Sequence, residues 1–262
     1  MKLFTSDQVH LGFVGVGAMG SRLVRHLCDH GYQTTVYDLD RSKAIALVDH
    51  GAWVADSPAE LAENADVILS CLTNDDAVRG VYLGRSGILS NAIPGKVVLE
   101  MSTISPATSR RLYIEGAKSG VNVMDVAISG STPAVEKGTV VLLVGGDHEV
   151  FEAAQPIFQA VASHWFLMGP SGQATIMKLV VNAILGIEMQ AIAEAIALGE
   201  AEGLDRKRLL DVLAQTAVIA PAHRGKLTRA ERCDYSPQFP LGLMNKDYRL
   251  MLAAARTANI TL

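Results

Sequence analysis

The 262-residue sequence has only three cysteines, Cys28, Cys71 and Cys233, and no C-x-x-C pair. An odd count without metal-ligand spacing excludes a disulfide framework and a zinc site, and it points to a reducing compartment. Basic residues are in no excess: 23 Lys plus Arg stand against 27 Asp plus Glu, a net charge of -4. That balance supplies neither the electrostatic footprint of a nucleic-acid-binding protein nor a polybasic membrane patch. The seven histidines include no pair at metal-ligand spacing, so no metal site is expected. No G-x-S-x-G elbow occurs, which leaves a hydrolase reading without support. Residues 1–7 lack the apolar run of a signal peptide. One apolar window, 179–198, has about the length of a membrane span. It contains Asn182, Glu188, Gln190 and Glu194, so the expectation is a helix of a soluble, cytoplasmic protein that meets no membrane and no nucleic acid.

Hydrophobic side chains are plentiful, at 49% of the residues, enough for a sizeable core. Up to residue 168, short β-rich apolar runs (10–15, 33–38, 67–72, 96–101, 121–125, 139–144 and 165–168) alternate with helical patterns. Such alternation predicts an α/β fold, a doubly wound parallel sheet with helices on both faces, and continuous apolar strands are what double coverage requires. After the turn signal Gly169-Pro170-Ser171-Gly172 no strand is expected, and a proline-free run of helix formers covers 174–202. The expected division is a dinucleotide-binding, Rossmann-like domain over 1–170 and an all-helical domain for substrate binding and oligomerisation over 171–262.

Gly15-Val16-Gly17-Ala18-Met19-Gly20 is a G-x-G-x-x-G directly after an apolar strand and directly before a helix. Its glycines permit a tight turn, close approach of a pyrophosphate and close helix–strand packing, with the helix N-terminus facing the anion. The second strand ends in Val36-Tyr37-Asp38, an acid about twenty residues on, as a dinucleotide fingerprint requires. A carboxylate at Asp38 accepts hydrogen bonds from ribose hydroxyls and repels a 2′-phosphate, so NAD is favoured as cofactor, with NADP possible because Arg41 stands nearby.

Four separated segments together resemble the β-hydroxyacid dehydrogenase family. They are Gly12-Phe13-Val14-Gly15-Val16-Gly17-Ala18-Met19-Gly20, Asp125-Val126-Ala127-Ile128-Ser129-Gly130-Ser131, Gly172-Gln173-Ala174-Thr175-Ile176-Met177-Lys178-Leu179-Val180-Val181-Asn182, and Lys246-Asp247. The resemblance implies that Lys178 is the catalytic lysine and Asn182 the amide beside it. It implies that Ser129, Gly130 and Ser131 hold the carboxylate of a small substrate. It also implies cofactor contacts from Leu72, Thr73, Thr103 and Lys246, the last reaching over from the helical domain. The sequence departs from the family pattern at Ala127-Ile128, at Ser131 in place of a second glycine, at Val181 in place of the first of two asparagines, and at Glu100 in place of an aspartate. It also ends soon after Lys246-Asp247, short of the terminal helices most relatives carry, as a truncated helical domain would.

The chemistry agrees with these residue types. Hydride transfer to a carbonyl leaves an alkoxide that needs a proton, so a positioned acid/base is required beside the nicotinamide. Lys178 and Asn182 are i and i+4 and share one helix face. A lysine in a partly desolvated cleft has its basicity lowered toward neutrality. Backbone N–H groups over 129–131 suit a carboxylate. The expected reaction is the interconversion of a small 3-hydroxy acid and its semialdehyde, with a site between the domains at the carboxyl ends of the strands. The nearest enzymatic alternative, an NADPH-dependent glyoxylate or succinic semialdehyde reductase, is suggested by Ser131 and opposed by Asp38. A non-catalytic dinucleotide-binding scaffold is opposed by the presence of Lys178, Asn182 and Ser129 together. The apolar 174–202 helix is more than one small domain can cover, so a homodimer or homotetramer is expected.

Overall fold

The structure, a computed structural model, describes residues 1–90 and 93–262. Eight strands form one sheet in the order β3-β2-β1-β4-β5-β6-β7-β8. They are β1 (Leu11–Val14), β2 (Thr34–Tyr37), β3 (Trp53–Val54), β4 (Val67–Ser70), β5 (Val97–Glu100), β6 (Asn122–Ser129), β7 (Val140–Gly145) and β8 (Ala162–Gly169). The helices are α1 (Gly20–Asp29), α2 (Arg41–Ile45), α3 (Pro58–Asn64), α4 (Asp75–Leu83), α5 (Pro106–Lys118), α6 (Thr132–Glu136), α7 (His148–Val161), α8 (Gln173–Ala201), α9 (Arg206–Gln215), α10 (Pro221–Glu231) and α11 (Leu241–Thr257).

Strand alternation sorts the core onto the two faces of the sheet. Leu11 and Phe13, Val67 and Leu69, and Val97 and Leu99 pack in one cluster with α1 and α7. Val14, Ile68 and Val98 pack in the other with α3, α4 and α5. Helix starts follow local chemistry: Ser57, Asn74, Ser105 and Asp147 each accept an N–H of the helix they open, and Pro58 and Pro106 occupy first-turn positions where no N–H is needed.

β1 to β6 are mutually parallel, as the expected doubly wound parallel sheet requires, while β7 runs antiparallel to β6. The connection between them, residues 130–139, holds only the five-residue α6. That is too short for the crossover of a dozen or more residues that a parallel neighbour needs. β6 also continues past Asp125 to Ser129, so the 129–131 segment starts on a strand end. β3, two residues long at the sheet edge, shows no alternation from which a sequence reading could find it.

The chain divides into two compact units, Met1–Val180 with Lys246–Leu262, and Val181–Asn245. Residues 171–180 and 246–262, read from sequence as part of the helical domain, thus count with the sheet. The second unit has its own small core of Ile192, Leu210, Ile219 and Leu227. α8 is long and apolar enough to cross a membrane by length and composition. It carries Val180, Ile184, Ile187 and Leu198 exposed.

Candidate active site

The glycine turn leaves β1 at Gly15, whose φ of +89° lies in the region that favours glycine. A Cβ on Gly15 would fall 2.5 Å from the Cys71 carbonyl oxygen, and one on Gly20 would fall 2.0 Å from that of Gly15. Packing therefore demands both. Gly17 differs: a Cβ there meets nothing within 4 Å. The space that Gly17 leaves open is the cradle a dinucleotide pyrophosphate would fill, beside a helix start with no side-chain cap at Met19. Ala18 is exposed, and Met19 packs partly against the core. These residues fit a nicotinamide dinucleotide.

Asp38, one residue past β2, is bound to this turn. Its Oδ2 accepts the Val16 N–H at 2.9 Å and its Oδ1 accepts the Asp40 N–H at 2.9 Å. The carboxylate is half-buried, with lone pairs left for ribose hydroxyls. Arg41 is engaged by Asp56 and Lys43 by Asp40, so both cations that follow Asp38 already have acidic partners.

The carboxyl ends of β1, β4, β5 and β6 lie along one edge of the sheet, and chain order reverses between β1 and β4, where open α/β sheets bind ligands. Leu72 and Thr73 follow β4; the Leu72 N–H donates to Ser102 Oγ at 2.7 Å, joining this segment to 101–103 after β5. Thr103 is half-buried there. Ser129 closes β6 in register with Val141, and Gly130 and Ser131 follow, exposed, Ser131 preceding α6 without a side-chain cap bond of its own.

Lys178 lies in the first turns of α8. Asp125 fixes the start of that helix from β6: its carboxylate accepts the Gly172 N–H at 2.8 Å, the Thr175 N–H at 3.0 Å and the Thr175 hydroxyl at 3.2 Å. Lys178 is only 8% exposed. Burial pushes its ammonium down from 10.5 to about 8; Asp247 opposes the shift and Lys246 adds to it. Lys246 donates from Nζ to the Thr103 carbonyl and lies 3.0 Å from the Asp247 carboxylate, which is buried. Lys178, Lys246 and Asp247 thus form one charged group, tied to the Thr103 carbonyl through Lys246. Asn182 is buried one turn further along α8.

The structure brings further residues to this group. Asp125 lies in the 125–131 motif, yet its role as the anchor of α8 has no local signature, and Asp247 joins Lys178 and Lys246 only in the fold. Ser102 links the 71–73 and 101–103 segments through a part-buried bond from Leu72 N–H, and Glu100 holds Ser102 through a buried one. α1 reaches the segment after β6 through His26, whose ring Nε2 is 2.8 Å from the Val135 carbonyl oxygen, and through Arg22, 3.6 Å from Glu136.

Residues 10–169 match the family model for the NAD-binding domain of 6-phosphogluconate dehydrogenase. Residues 172–262 match the NAD-binding model of NADP-dependent 3-hydroxyisobutyrate dehydrogenase. The chain is 34% identical to an NAD-dependent L-serine dehydrogenase of Pseudomonas aeruginosa, covering 95% of this chain and 86% of that one. It is 34% identical to glyoxylate/succinic semialdehyde reductase 1 of Arabidopsis thaliana, covering 94% and 85%. Among solved structures, a 3-hydroxyisobutyrate dehydrogenase of Mycobacterium tuberculosis with L-serine superposes with a TM-score of 0.87 at 27% identity, covering 97% of this chain and 89% of that one.

Proposed function

The chain belongs to the β-hydroxyacid dehydrogenase family, and from that premise we propose that it oxidises a small 3-hydroxy acid such as L-serine or 3-hydroxyisobutyrate with NAD, using Lys178 as acid/base. Its class is that of an NAD(P)-dependent oxidoreductase of small hydroxy acids and their semialdehydes. The observation that carries the role of Lys178 is its burial next to Lys246 and Asp247 with basicity lowered to about 8. An acid/base works best when its pKa lies near the operating pH.

The nicotinamide, when bound, supplies the hydride acceptor or donor. In oxidation the neutral Lys178 amine takes the hydroxyl proton, and in reduction its ammonium returns one to the nascent alkoxide. Asn182, on the same helix and buried, orients the reacting oxygen. Ser129, Gly130 and Ser131 receive the substrate carboxylate through N–H groups and hydroxyls. Gly15, Gly17, Ala18, Met19 and Gly20 take the pyrophosphate, while Leu72, Thr73, Thr103 and Lys246 take the nicotinamide half.

The NAD preference rests on Asp38, whose carboxylate is fixed beside the glycine turn, and on Arg41 being held by Asp56 instead of free for a 2′-phosphate. The second reading, an NADPH-linked glyoxylate or succinic semialdehyde reductase, draws on Ser131 and on the Arabidopsis relative. Initial rates with NAD and NADP against L-serine, 3-hydroxyisobutyrate, glyoxylate and succinic semialdehyde separate the two. NAD-linked oxidation faster than any NADP-linked reaction is the expected result, and Asp38→Ala relaxes that preference by on the order of tenfold. A native preference for NADPH with glyoxylate overturns it.

The exposed Ile184, Ile187 and Leu198 on α8 support a homodimer or homotetramer, which sedimentation equilibrium measures directly. Three unpaired cysteines support a cytoplasmic location.

A further inference from the structure

The centre of the sheet holds a carboxylic acid that hydride transfer does not use. Glu100 closes β5, is 2% exposed, and lies in register between Ser70 on β4 and Asp125 on β6. Its Oε1 accepts the Ser102 N–H at 2.9 Å and the Ser70 hydroxyl at 3.3 Å. Ser70 in turn accepts the Tyr82 hydroxyl at 2.7 Å, and Ser102 Oγ accepts the Leu72 N–H at 2.7 Å. The Ser102 hydroxyl therefore joins the 71–73 segment to the 101–103 segment, and the Glu100 carboxyl holds Ser102 and the end of β4 beside that link. Its Oε2 is buried with no hydrogen-bond partner among the described residues. Among the described residues the titratable groups around it are Tyr82 from α4, Cys71 after β4 and Asp125 on β6, none of them a cation. Lys246 acts on Cys71 and pairs with Asp247. An ionised Glu100 would be a buried charge without a counter-ion, a state that side chains escape by keeping their proton.

We propose that Glu100 is a positioning residue that works as the neutral acid, holding 71–73 and 101–103 in the shape that receives the nicotinamide half of the cofactor, and that loss of its proton loosens that shape. The proposal rests on the reading that both segments line the cofactor. Burial pushes the Glu100 carboxyl up to about 8, and Asp125 adds to the rise against the hydrogen bonds from Ser102 and Ser70. The transition thus falls just above neutral pH. Proton loss puts a buried charge on a carboxyl whose Oε2 has no partner among the described residues, and repulsion from Asp125 then pushes Glu100 away from the Ser102 link.

The test is the dissociation constant of the reduced cofactor, NADH or NADPH, whichever binds tighter, followed by nicotinamide fluorescence from about pH 6.5 to about pH 9.5. Wild type is compared with Glu100→Gln, Glu100→Ala and Thr103→Val. Wild-type affinity is expected to weaken above pH 8, by about tenfold at pH 9. Glu100→Gln keeps an acceptor for Ser102 and Ser70 and has no proton to lose, so it matches wild type at pH 7 and lacks that decline. Glu100→Ala binds weakly at every pH. The comparison with Gln removes the contribution of Lys178, which titrates in the same range in both proteins.

The proposal fails if wild type and Glu100→Gln share one pH dependence, or if Gln binds as poorly as Ala at pH 7. Thr103→Val distinguishes the two levels. If it weakens binding while Gln follows wild type throughout, Glu100 alone loses its role; if it leaves the constant untouched, the cofactor-lining reading falls and the proposal with it. Should Glu100→Gln not fold, the infrared carbonyl stretch of wild type decides. A protonated carboxyl at pH 7 that disappears near pH 8 supports the proposal, and its absence at pH 7, where an ordinary carboxyl is ionised, overturns it.

Discussion

Replacing Lys178, and separately changing the charges around it, tests the acid/base reading with numbers taken from the site. With its ordinary value of 10.5, roughly 0.03% of this lysine would be the free amine at pH 7; at about 8 the fraction is roughly 9%. The surroundings of Lys178, burial foremost, are therefore worth about 300-fold in available base, or about 3 kcal/mol. In oxidation at low hydroxy acid concentration, kcat/KM rises tenfold per pH unit and levels off above about pH 8. The reduction rate does the opposite, because it consumes the ammonium. Lys178→Ala loses on the order of 100- to 10,000-fold in turnover with cofactor affinity kept, and Lys178→Arg, permanently protonated, fails in oxidation equally. The neighbours move the rising limb in opposite directions. Lys246→Gln removes a like charge, raises the pKa of Lys178 and shifts the limb to higher pH; Asp247→Asn removes the opposing charge and shifts it to lower pH. An oxidation rate independent of pH between about 6 and 9, or one limb shared by wild type and both neighbour variants, refutes the reasoning.

Gly17→Ala is expected to leave the melting temperature unchanged, since its Cβ meets nothing within 4 Å, while weakening cofactor binding by at least about tenfold. Isothermal titration beside a thermal melt reads both, and a fall in melting temperature with unaltered affinity is the opposite outcome. Asp125→Ala removes the acceptor of three hydrogen bonds at the start of α8, so denaturant unfolding should show a loss of about 3–5 kcal/mol. Turnover at low temperature falls with it, as Lys178 loses its fixed position. Lys96 donates to the carbonyls of Ala62, Glu63 and Ala65 at the end of α3, and Lys96→Met should cost about 2–3 kcal/mol in the same assay without changing turnover.

Legibility in the sequence follows the distance over which each feature is determined. The glycine turn is readable because its demands are local: Gly15 needs its positive φ, and Gly20 packs on the carbonyl five residues back. The doubly wound core is readable because alternate residues of β1, β4 and β5 face two different helix layers, which makes each strand apolar throughout. The antiparallel β7 is not, since its direction depends on a connection whose one short helix is ordinary in composition. The Asp125 anchor closes loops of 47 and 50 residues, and Lys246 meets Thr103 across 143. No pattern of residue types predicts such pairs; the family resemblance names Lys246 and Thr103 without saying that they touch. Glu100 shows the same limit. From sequence it is an acid where relatives have a shorter one, and only the packing of Tyr82, Cys71 and Asp125 around it turns that difference into a question of protonation.

If Lys178 is the acid/base proposed above, the charges around it would let one site serve both directions of the reaction. Two lysines share a single buried aspartate, so the group carries one positive charge in excess whenever Lys178 is protonated. That excess favours a substrate bearing a carboxylate, and it lowers the basicity of Lys178 together with burial. Asp247 limits the fall. Without it Lys178 would lose its proton more readily and leave less ammonium for a reduction; without Lys246 and burial it would hold the proton more firmly and leave less free amine for an oxidation. Because Asp247 follows Lys246 in the chain, one turn of α11 supplies both opposing influences, and the Thr103 carbonyl holds that turn at the end of β5. A change at Thr103 that displaces Lys246 should therefore alter the pH dependence of turnover as well as cofactor affinity, and the two effects should scale together across substitutions that move Lys246 by different amounts.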